Sequence, residues 1–167
     1  MRTRKTFAVL FVVAALLCMA AAAYAADSAT QTVTFEVEEI NEITVSGNPG
    51  PLVVNAATAG GAPVAATDNT TTYSVTTNQT GKKITAGIDT AMPTGTALTV
   101  QLASSLATSA GAVDISDATA GSVVDVVTAL STGTDSAQAI SYTFSATAAA
   151  GVVSGTKTVT FTIADAS

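Results

Sequence analysis

Short segments in which apolar and polar residues alternate with a period of two recur along most of this chain. The pattern is clearest at Ile140–Phe144 and at Val159–Ile163, where every second residue is aliphatic or aromatic and the residues between are Ser or Thr. Successive side chains of a β-strand point to opposite faces, so this period places the apolar side chains on one covered face. The pattern therefore predicts a fold built from β-strands.

The same reasoning extends to eight to ten short strands separated by turn residues. Alternating or apolar runs mark the other strands, at 31–37, 43–45, 52–54, 71–78, 82–88, 98–102, 113–115 and 123–130. Asn78–Gly81 predicts a tight turn, and hence a hairpin between the runs that flank it, while Ala148–Gly155 turns the chain between the last two runs. The predicted fold class is all-β, an antiparallel β-sandwich of the Ig-like or pilin-like kind.

Composition favours a folded domain over low-complexity disorder. Thr, which is β-branched and packs well on pleated surfaces, fills 28 of the 142 positions after residue 25. Mean hydropathy is +0.48, whereas disordered segments have low hydrophobicity. The run Val123–Leu130 is almost continuously apolar, which predicts a strand covered on both faces.

The first 25 residues have the layout of a secretory signal peptide. Basic residues within positions 2–5 precede the apolar run Phe7–Met19, and Ala23–Ala25 supplies small residues at the −3 and −1 positions of a cleavage site. A retained membrane anchor is the alternative, as is a lipoprotein acylated at Cys18, although Leu17 stands where a small residue is expected. The predicted organisation is a cleaved signal peptide (1–25), an N-terminal strand segment (26–47) and a β-sandwich domain (48–167). This organisation predicts that the protein is exported, either to the cell surface or the exterior or to the periplasm.

The charge balance and the residue types that the chain lacks exclude several classes of partner and of catalytic site. After residue 25 the chain holds Lys82, Lys83 and Lys157 against 12 carboxylates, a net charge of −9, with no Cys and no His. This balance opposes binding to nucleic acid or to anionic membrane surfaces, and neither is predicted as a partner. The lack of His excludes Ser-His-Asp and Cys-His catalysis, and the exported chain must fold without a disulfide.

Glutamates near the N-terminus are the first candidates for chemistry. Glu36 and Glu38 share a strand face, with Glu39 and Glu42 nearby, and could form a glycosidase pair or a cation site. Sugar-cleaving sites also need aromatic platforms, whereas every aromatic residue after residue 25 is predicted at an alternating core position. These residues are Phe35, Tyr73, Tyr142, Phe144 and Phe161. The glutamates are therefore predicted to solvate an exposed strand face, and no enzyme activity is predicted.

A weak calcium site is the only cofactor suggestion in the sequence. Asp114 and Asp117, with Asp125 further on, lie in or beside the irregular stretch Ser104–Gly121 and could ligate calcium together with backbone carbonyls. Their spacing is not that of an EF-hand loop. Asp residues also favour turns by accepting hydrogen bonds from their own backbone, which is the alternative explanation.

The lysines and two asparagines complete the candidates. Lys82, Lys83 and Lys157 could activate a Ser or Thr nucleophile only if buried, and their positions beside turns predict that they are solvated. Asn69 and Asn78 each begin a glycan acceptor pattern. The sequence leaves open whether either carries a glycan.

The run Gln31–Val37 suggests a structural role. An alternating strand so close to the N-terminus of the exported chain can complete its own sheet or add to an open sheet edge of another subunit. The second arrangement does not close and would generate a filament. The sequence leaves both arrangements open.

The alternation at 33–37, the predicted hairpin Tyr73–Ile88 and the final pair within 140–163 resemble those of secreted bacterial surface proteins with Ig-like or pilin-like sandwiches, such as spore-coat protein U, fimbrial and camelysin-type fibre subunits. The resemblance implies a secreted, non-enzymatic structural protein that builds or decorates an extracellular fibre, pilus or surface layer. Its partners would be further copies or other surface proteins, held through an edge or terminal strand. The chain lacks the cysteine pair of chaperone-assembled pilins. The alternative function is a carbohydrate- or calcium-binding adhesion module that uses Ser104–Gly121.

Overall fold

A computed structural model describes residues 28–166 of the chain, and the predicted signal peptide lies outside them. The chain divides after Val37 into two structural units. The described residues are all-β, with nine strands, one 3-10 helix at Ala148–Ala150 and no α-helix. None of their helical structure is long and apolar enough to cross a membrane. The all-β prediction is thus confirmed.

All the strands lie in the unit that begins at Glu38, and they form two antiparallel sheets. The strands are β1 (Asn41–Val45), β2 (Ala66–Thr77), β3 (Lys82–Ile88), β4 (Thr96–Leu102), β5 (Thr108–Ser109), β6 (Val113–Asp114), β7 (Val124–Leu130), β8 (Gly133–Ala146) and β9 (Val159–Asp165). One sheet has the order β1-β2-β8-β4-β6 and the other β5-β7-β3-β9. The predicted strand at 52–54 is absent from the structure, and β2 begins five residues earlier than predicted.

Successive strands from β2 to β9 alternate between the two sheets. The predicted hairpin across Asn78–Gly81 is therefore wrong, and the last two strands do not pair with each other either. The turn instead carries the chain from one sheet to the other, and the Asn78 side chain bonds residues before β1 rather than closing a hairpin. The Thr77 hydroxyl accepts a hydrogen bond from the Gln79 amide at 3.0 Å.

Both sheets contribute inward side chains to one hydrophobic cluster. Its fully buried large members are Tyr73, Ile84, Leu102, Ile115, Leu130, Ile140, Val75, Val100, Val126 and Val127. The consecutive residues Val126 and Val127 are both buried because the register of β7 against β3 shifts there, so that β7 holds an extra residue. The prediction that this run is covered on both faces is wrong, since Asp125 and Ala129 are exposed. Alternation fails at this point because a bulge, rather than a second cover, turns adjacent residues inward.

The irregular stretch after β4 ties the two sheets together. Ile115 is fully buried, and its amide donates to the carbonyl of Leu98 in β4 at 2.9 Å. The amide of Ile88 in β3 donates to the carbonyl of Ala118 at 2.7 Å. Each sheet has one short and one longer edge strand. The first sheet ends in β6 at one edge and β1 at the other, and the second ends in β5 at one edge and β9 at the other; β5 and β6 have two residues each.

Candidate functional site

The segment before Glu38 carries exposed apolar side chains at every second position. Val33 is 73% exposed, Phe35 is 89% exposed and Val37 is 77% exposed. Residues 28–40 belong to no strand, so the predicted strand 31–37 has no partner within the described chain. The prediction that Phe35 is a core residue is wrong. Three large apolar side chains at alternate positions are thus exposed to solvent instead of packing in the core.

The backbone that follows this segment is held firmly by Asn78. Its side-chain amide donates to the carbonyl of Glu38 at 2.7 Å, and its side-chain oxygen accepts from the amide of Ile40 at 2.9 Å. Its own backbone amide donates to the carbonyl of Ile40 at 3.2 Å. Of the two glycan acceptor candidates, Asn78 therefore has a side chain engaged in structure, whereas Asn69 is exposed at a register shift of β2.

The outer edge of β1 has free backbone groups beside an inward side chain. The carbonyl of Ile40 and the amide of Ser46 both bond the chain of β2. Backbone groups of successive residues in an antiparallel strand point alternately to its two sides. The amide and carbonyl groups of Ile43 and Val45 therefore point away from β2, where no strand of the described chain pairs with them.

The outer edge of β9 has the same arrangement over a longer stretch. The carbonyl of Thr158 accepts from the amide of Asp89 at 3.1 Å, and the amide of Ala166 donates to the carbonyl of Gly81 at 2.8 Å. By the same alternation, the backbone groups of the odd-numbered residues of 159–163 point to the free edge. These residues also have half-buried apolar side chains that pack against the core.

The two edges face each other across a surface that we call the β1/β9 seam, formed by 41–45 and 159–165. Cα atoms of β1 and β9 come within 8 Å of each other, yet no strand pairing joins them in the described chain. A cavity of about 220 Å³ lies in the seam. It is lined by Ile43, Thr44, Val45, Val159, Thr160 and Phe161. The seam thus combines unpaired backbone edges with an open hollow lined by aliphatic, aromatic and threonine residues.

Lys82 closes the other end of the seam. Its ammonium group lies 2.7 Å from a carboxylate oxygen of Asp165, the last residue of β9, and 3.1 Å from one of Glu39, just before β1. Hydrogen bonds with Asp165 first and then Glu39 raise the pKa of Lys82, and the bond from Lys82 lowers the pKa of Asp165. The side chain of Lys82 is 14% exposed, so it is partly buried beside the two carboxylates and less solvated than its position next to a turn predicts.

A second polar cluster, around Asp135, was missed by sequence reasoning. This residue is 3% exposed, and its carboxylate accepts hydrogen bonds from the hydroxyls of Ser104 and Ser105 and from the amides of Ser105 and Leu106. The loop after β4 is further held by Tyr73, whose hydroxyl donates to the carbonyl of Ala103 at 2.6 Å. Nothing in the spacing of these residues signals the cluster, because the partners are about thirty positions apart.

The carboxylates that the sequence offered for chemistry all lie at the surface of the described chain. Glu36 and Glu38 are both exposed, and Glu42 is exposed on β1. One oxygen of Asp114 accepts a hydrogen bond from the amide of Ser116 at 2.8 Å, which is the turn arrangement foreseen as the alternative to calcium. Asp117 is exposed. Among residues 28–166, no group of three or more potential metal ligands lies together.

The two other lysines, Lys83 and Lys157, bond groups on adjacent segments of the fold. Lys83 lies 3.1 Å from a carboxylate oxygen of Asp125, which links β3 to β7. Lys157 donates to the hydroxyl of Thr90 at 2.7 Å and to the carbonyl of Ala91 at 2.9 Å. These bonds connect neighbouring chain segments.

In comparisons with known proteins, no protein-family model, no curated protein and no solved structure matches the chain.

Proposed function

We propose that this protein is an exported, non-enzymatic β-sandwich that serves as a subunit of an extracellular fibre, pilus or surface layer. The observation that carries the proposal is the exposure of Val33, Phe35 and Val37, three apolar side chains with strand periodicity. Burying each side chain would contribute about 1.5–3 kcal/mol. Backbone hydrogen bonds to an open sheet edge would add to that.

Such a segment favours open-ended assembly. When a segment at one end of a subunit binds a different surface on the next, the contact is heterologous, and repetition yields a filament unless the rotation closes a ring. Assembly of this kind needs no disulfide, which suits a chain without Cys after residue 25.

The test compares polymer formation by the chain from residue 26 onward with that of a triple variant, Val33→Thr, Phe35→Thr and Val37→Thr. Threonine keeps the β-propensity of the segment but removes its apolar face. We expect the unmodified chain to form concentration-dependent polymers in sedimentation velocity and electron microscopy, and the triple variant to stay monomeric.

The matched control carries threonine at three other exposed valines, Val53, Val64 and Val152, which are 60%, 59% and 105% exposed. This control should polymerise like the unmodified chain. A chain that stays monomeric at every concentration, or a triple variant that polymerises as readily as the control, would refute the proposal.

The calcium-binding adhesion module is not proposed as a second function. Asp114 already accepts a hydrogen bond from the Ser116 amide, and the stretch that was expected to present a ligand loop contains the fully buried Ile115. No specific observation in the described chain therefore favours it.

A further inference from the structure

We propose that the β1/β9 seam of one copy receives residues 32–37 of a second copy, with Phe35 of the incoming segment seated in the seam cavity. This inference rests on the proposed function and adds the acceptor surface to it. The incoming segment would pair with the free edge of β9 and place its alternate apolar side chains over the exposed part of the core.

The size and lining of the cavity suit a phenyl ring. The seam cavity is an open groove of about 220 Å³, which exceeds the roughly 150 Å³ of an enclosed apolar cavity that binds benzene. Ile43, Val159 and Phe161 supply half-buried apolar walls, and Val45 is 51% exposed at the rim. Phe35 is the only aromatic side chain among the described residues that precede β1.

The backbone of β9 matches the periodicity of the segment. Its free amide and carbonyl groups belong to the same residues whose side chains face the core, Val159, Phe161 and Ile163. A strand paired with this edge therefore presents every second side chain on the core side. With Phe35 in that row, Val33 and Val37 fall in the same row at about 6.8 Å on either side of it.

The partner is a second copy because reversal within one chain would break existing bonds. Returning the segment onto its own β9 requires a turn in the residues just before β1. The carbonyl of Glu38 and both backbone groups of Ile40 are bonded to Asn78, and the side chain of Glu39 is bonded to Lys82. A second copy can supply the segment without disturbing these bonds.

Spacing indicates which end of the seam accepts the segment. Inserting a strand between two edges needs about 9.6 Å, twice the strand spacing, whereas β1 and β9 come within 8 Å of each other. The seam must therefore widen where the segment enters. Lys82 fastens the end near Asp165, so entry occurs at the cavity end, beside Val45 and Val159.

The first experiment maps the contact with single cysteines, since the chain from residue 26 has none. Thr34→Cys protein is mixed with Thr160→Cys protein and oxidised, and disulfide-linked dimers are measured on a non-reducing gel. Thr160 is exposed on β9, and in the proposed pairing Thr34 alternates with Val33 and Phe35, so neither substitution removes the apolar contact. Thr108→Cys, at an exposed position of β5 on the far edge of the same sheet, is the control acceptor.

We expect at least ten-fold more linked dimer with Thr160→Cys than with Thr108→Cys, and none from either parent alone. Equal or greater linkage at Thr108→Cys would overturn the seam as acceptor. A chain carrying both Thr34→Cys and Thr160→Cys that forms its disulfide within the monomer would overturn pairing with a second copy.

The second experiment places a charge at the rim of the cavity. Val45→Lys should raise the concentration needed for polymerisation at least ten-fold, whereas Val123→Lys, at an equal 51% exposure beside Gly87, should leave it unchanged. Both variants are first checked for unchanged thermal unfolding. If polymers depend on residues 33–37 but Val45→Lys has no effect, the seam is wrong and the proposed function stands. If polymers do not depend on 33–37, both fall.

Discussion

Asp135 is a buried carboxylate that orders the loop between β4 and β5. Four hydrogen bonds from residues 104–106 converge on its two oxygens at 2.8–3.2 Å. Burial alone would raise the pKa of Asp135, but the bonds from Ser105, Ser104 and Leu106 outweigh it and lower the pKa below its usual 3.8. The folded structure therefore favours the ionised form of the Asp135 carboxylate.

Replacement Asp135→Asn should lower the free energy of unfolding by about 2–3 kcal/mol, since hydrogen bonds to a charged group are lost and a buried donor is left without a partner. Urea unfolding followed by circular dichroism measures the change. Asp117→Asn, at an exposed aspartate, is the control and should change it by less than about 0.5 kcal/mol. Equal stability of the two variants at neutral pH would contradict this role.

The same carboxylate predicts a pH dependence. Because its folded pKa is below its unfolded pKa, Asp135 contributes stability above the unfolded pKa, near 3.9. This contribution is lost as the pH falls through the lower folded value. The stability difference between the unmodified chain and Asp135→Asn should therefore be constant from pH 7 to about pH 5 and shrink below pH 4. A difference that does not change down to pH 2 would show that the charge is not responsible.

Thr71 and Thr77 are buried threonines of β2 with opposite hydrogen bonding. The hydroxyl of Thr71 has no hydrogen-bond partner, whereas that of Thr77 donates to the side-chain oxygen of Asn41 at 2.7 Å and accepts from the amide of Gln79 at 3.0 Å. Thr71→Val should raise the free energy of unfolding by about 1 kcal/mol, and Thr77→Val should lower it by about 1–3 kcal/mol. Parallel denaturant melts decide this, and a loss of stability in Thr71→Val would contradict it.

At the scale of the element, β3 depends on a close approach at Gly87. A Cβ atom at this position would lie 3.0 Å from the carbonyl oxygen of Ala118 and 3.0 Å from a methyl of Val123. The neighbouring amide of Ile88 bonds the same carbonyl at 2.7 Å, so the two segments cannot separate freely. Gly87 therefore lets the stretch after β6 lie directly against β3.

Replacement Gly87→Ala should lower the free energy of unfolding by about 1–3 kcal/mol, the usual range for overpacking. Gly155→Ala is the matched control, since a Cβ there meets nothing within 4 Å. Thermal unfolding of both variants gives the comparison. Equal melting temperatures for the two variants would show that β3 can shift to make room.

At the scale of the whole molecule, the strand pairings join distant parts of the chain. In the five long ladders the smallest separation is 28 positions, between Val45 and Tyr73. Folds dominated by such pairings refold in milliseconds to seconds. Stopped-flow refolding after a brief unfolding pulse, which keeps prolines in their native isomer, should show this range, and a microsecond phase of full amplitude would contradict it.

Part of the candidate site could be predicted from the sequence. The periodicity at 33–37 placed three apolar side chains on one face, but their exposure could not be foreseen, because alternation says which side chains share a face and not whether anything covers that face. The positions of Asp165 and Glu39 beside Lys82 also gave no signal. Those partners are separated from Lys82 by 83 and 43 positions, and only the folded chain brings them together.

Local sequence determined most of the strands in the unit that begins at Glu38 and, outside bulges, which of their side chains turn inward. Both depend on the pleat and on β-branched side chains, which act over a few residues. The tertiary structure alone decided which strands are neighbours, where bulges such as that at Val126 break the alternation, and which edges remain open. Those outcomes depend on how whole segments share one core, and a two-residue period carries no information about the partner across the sheet.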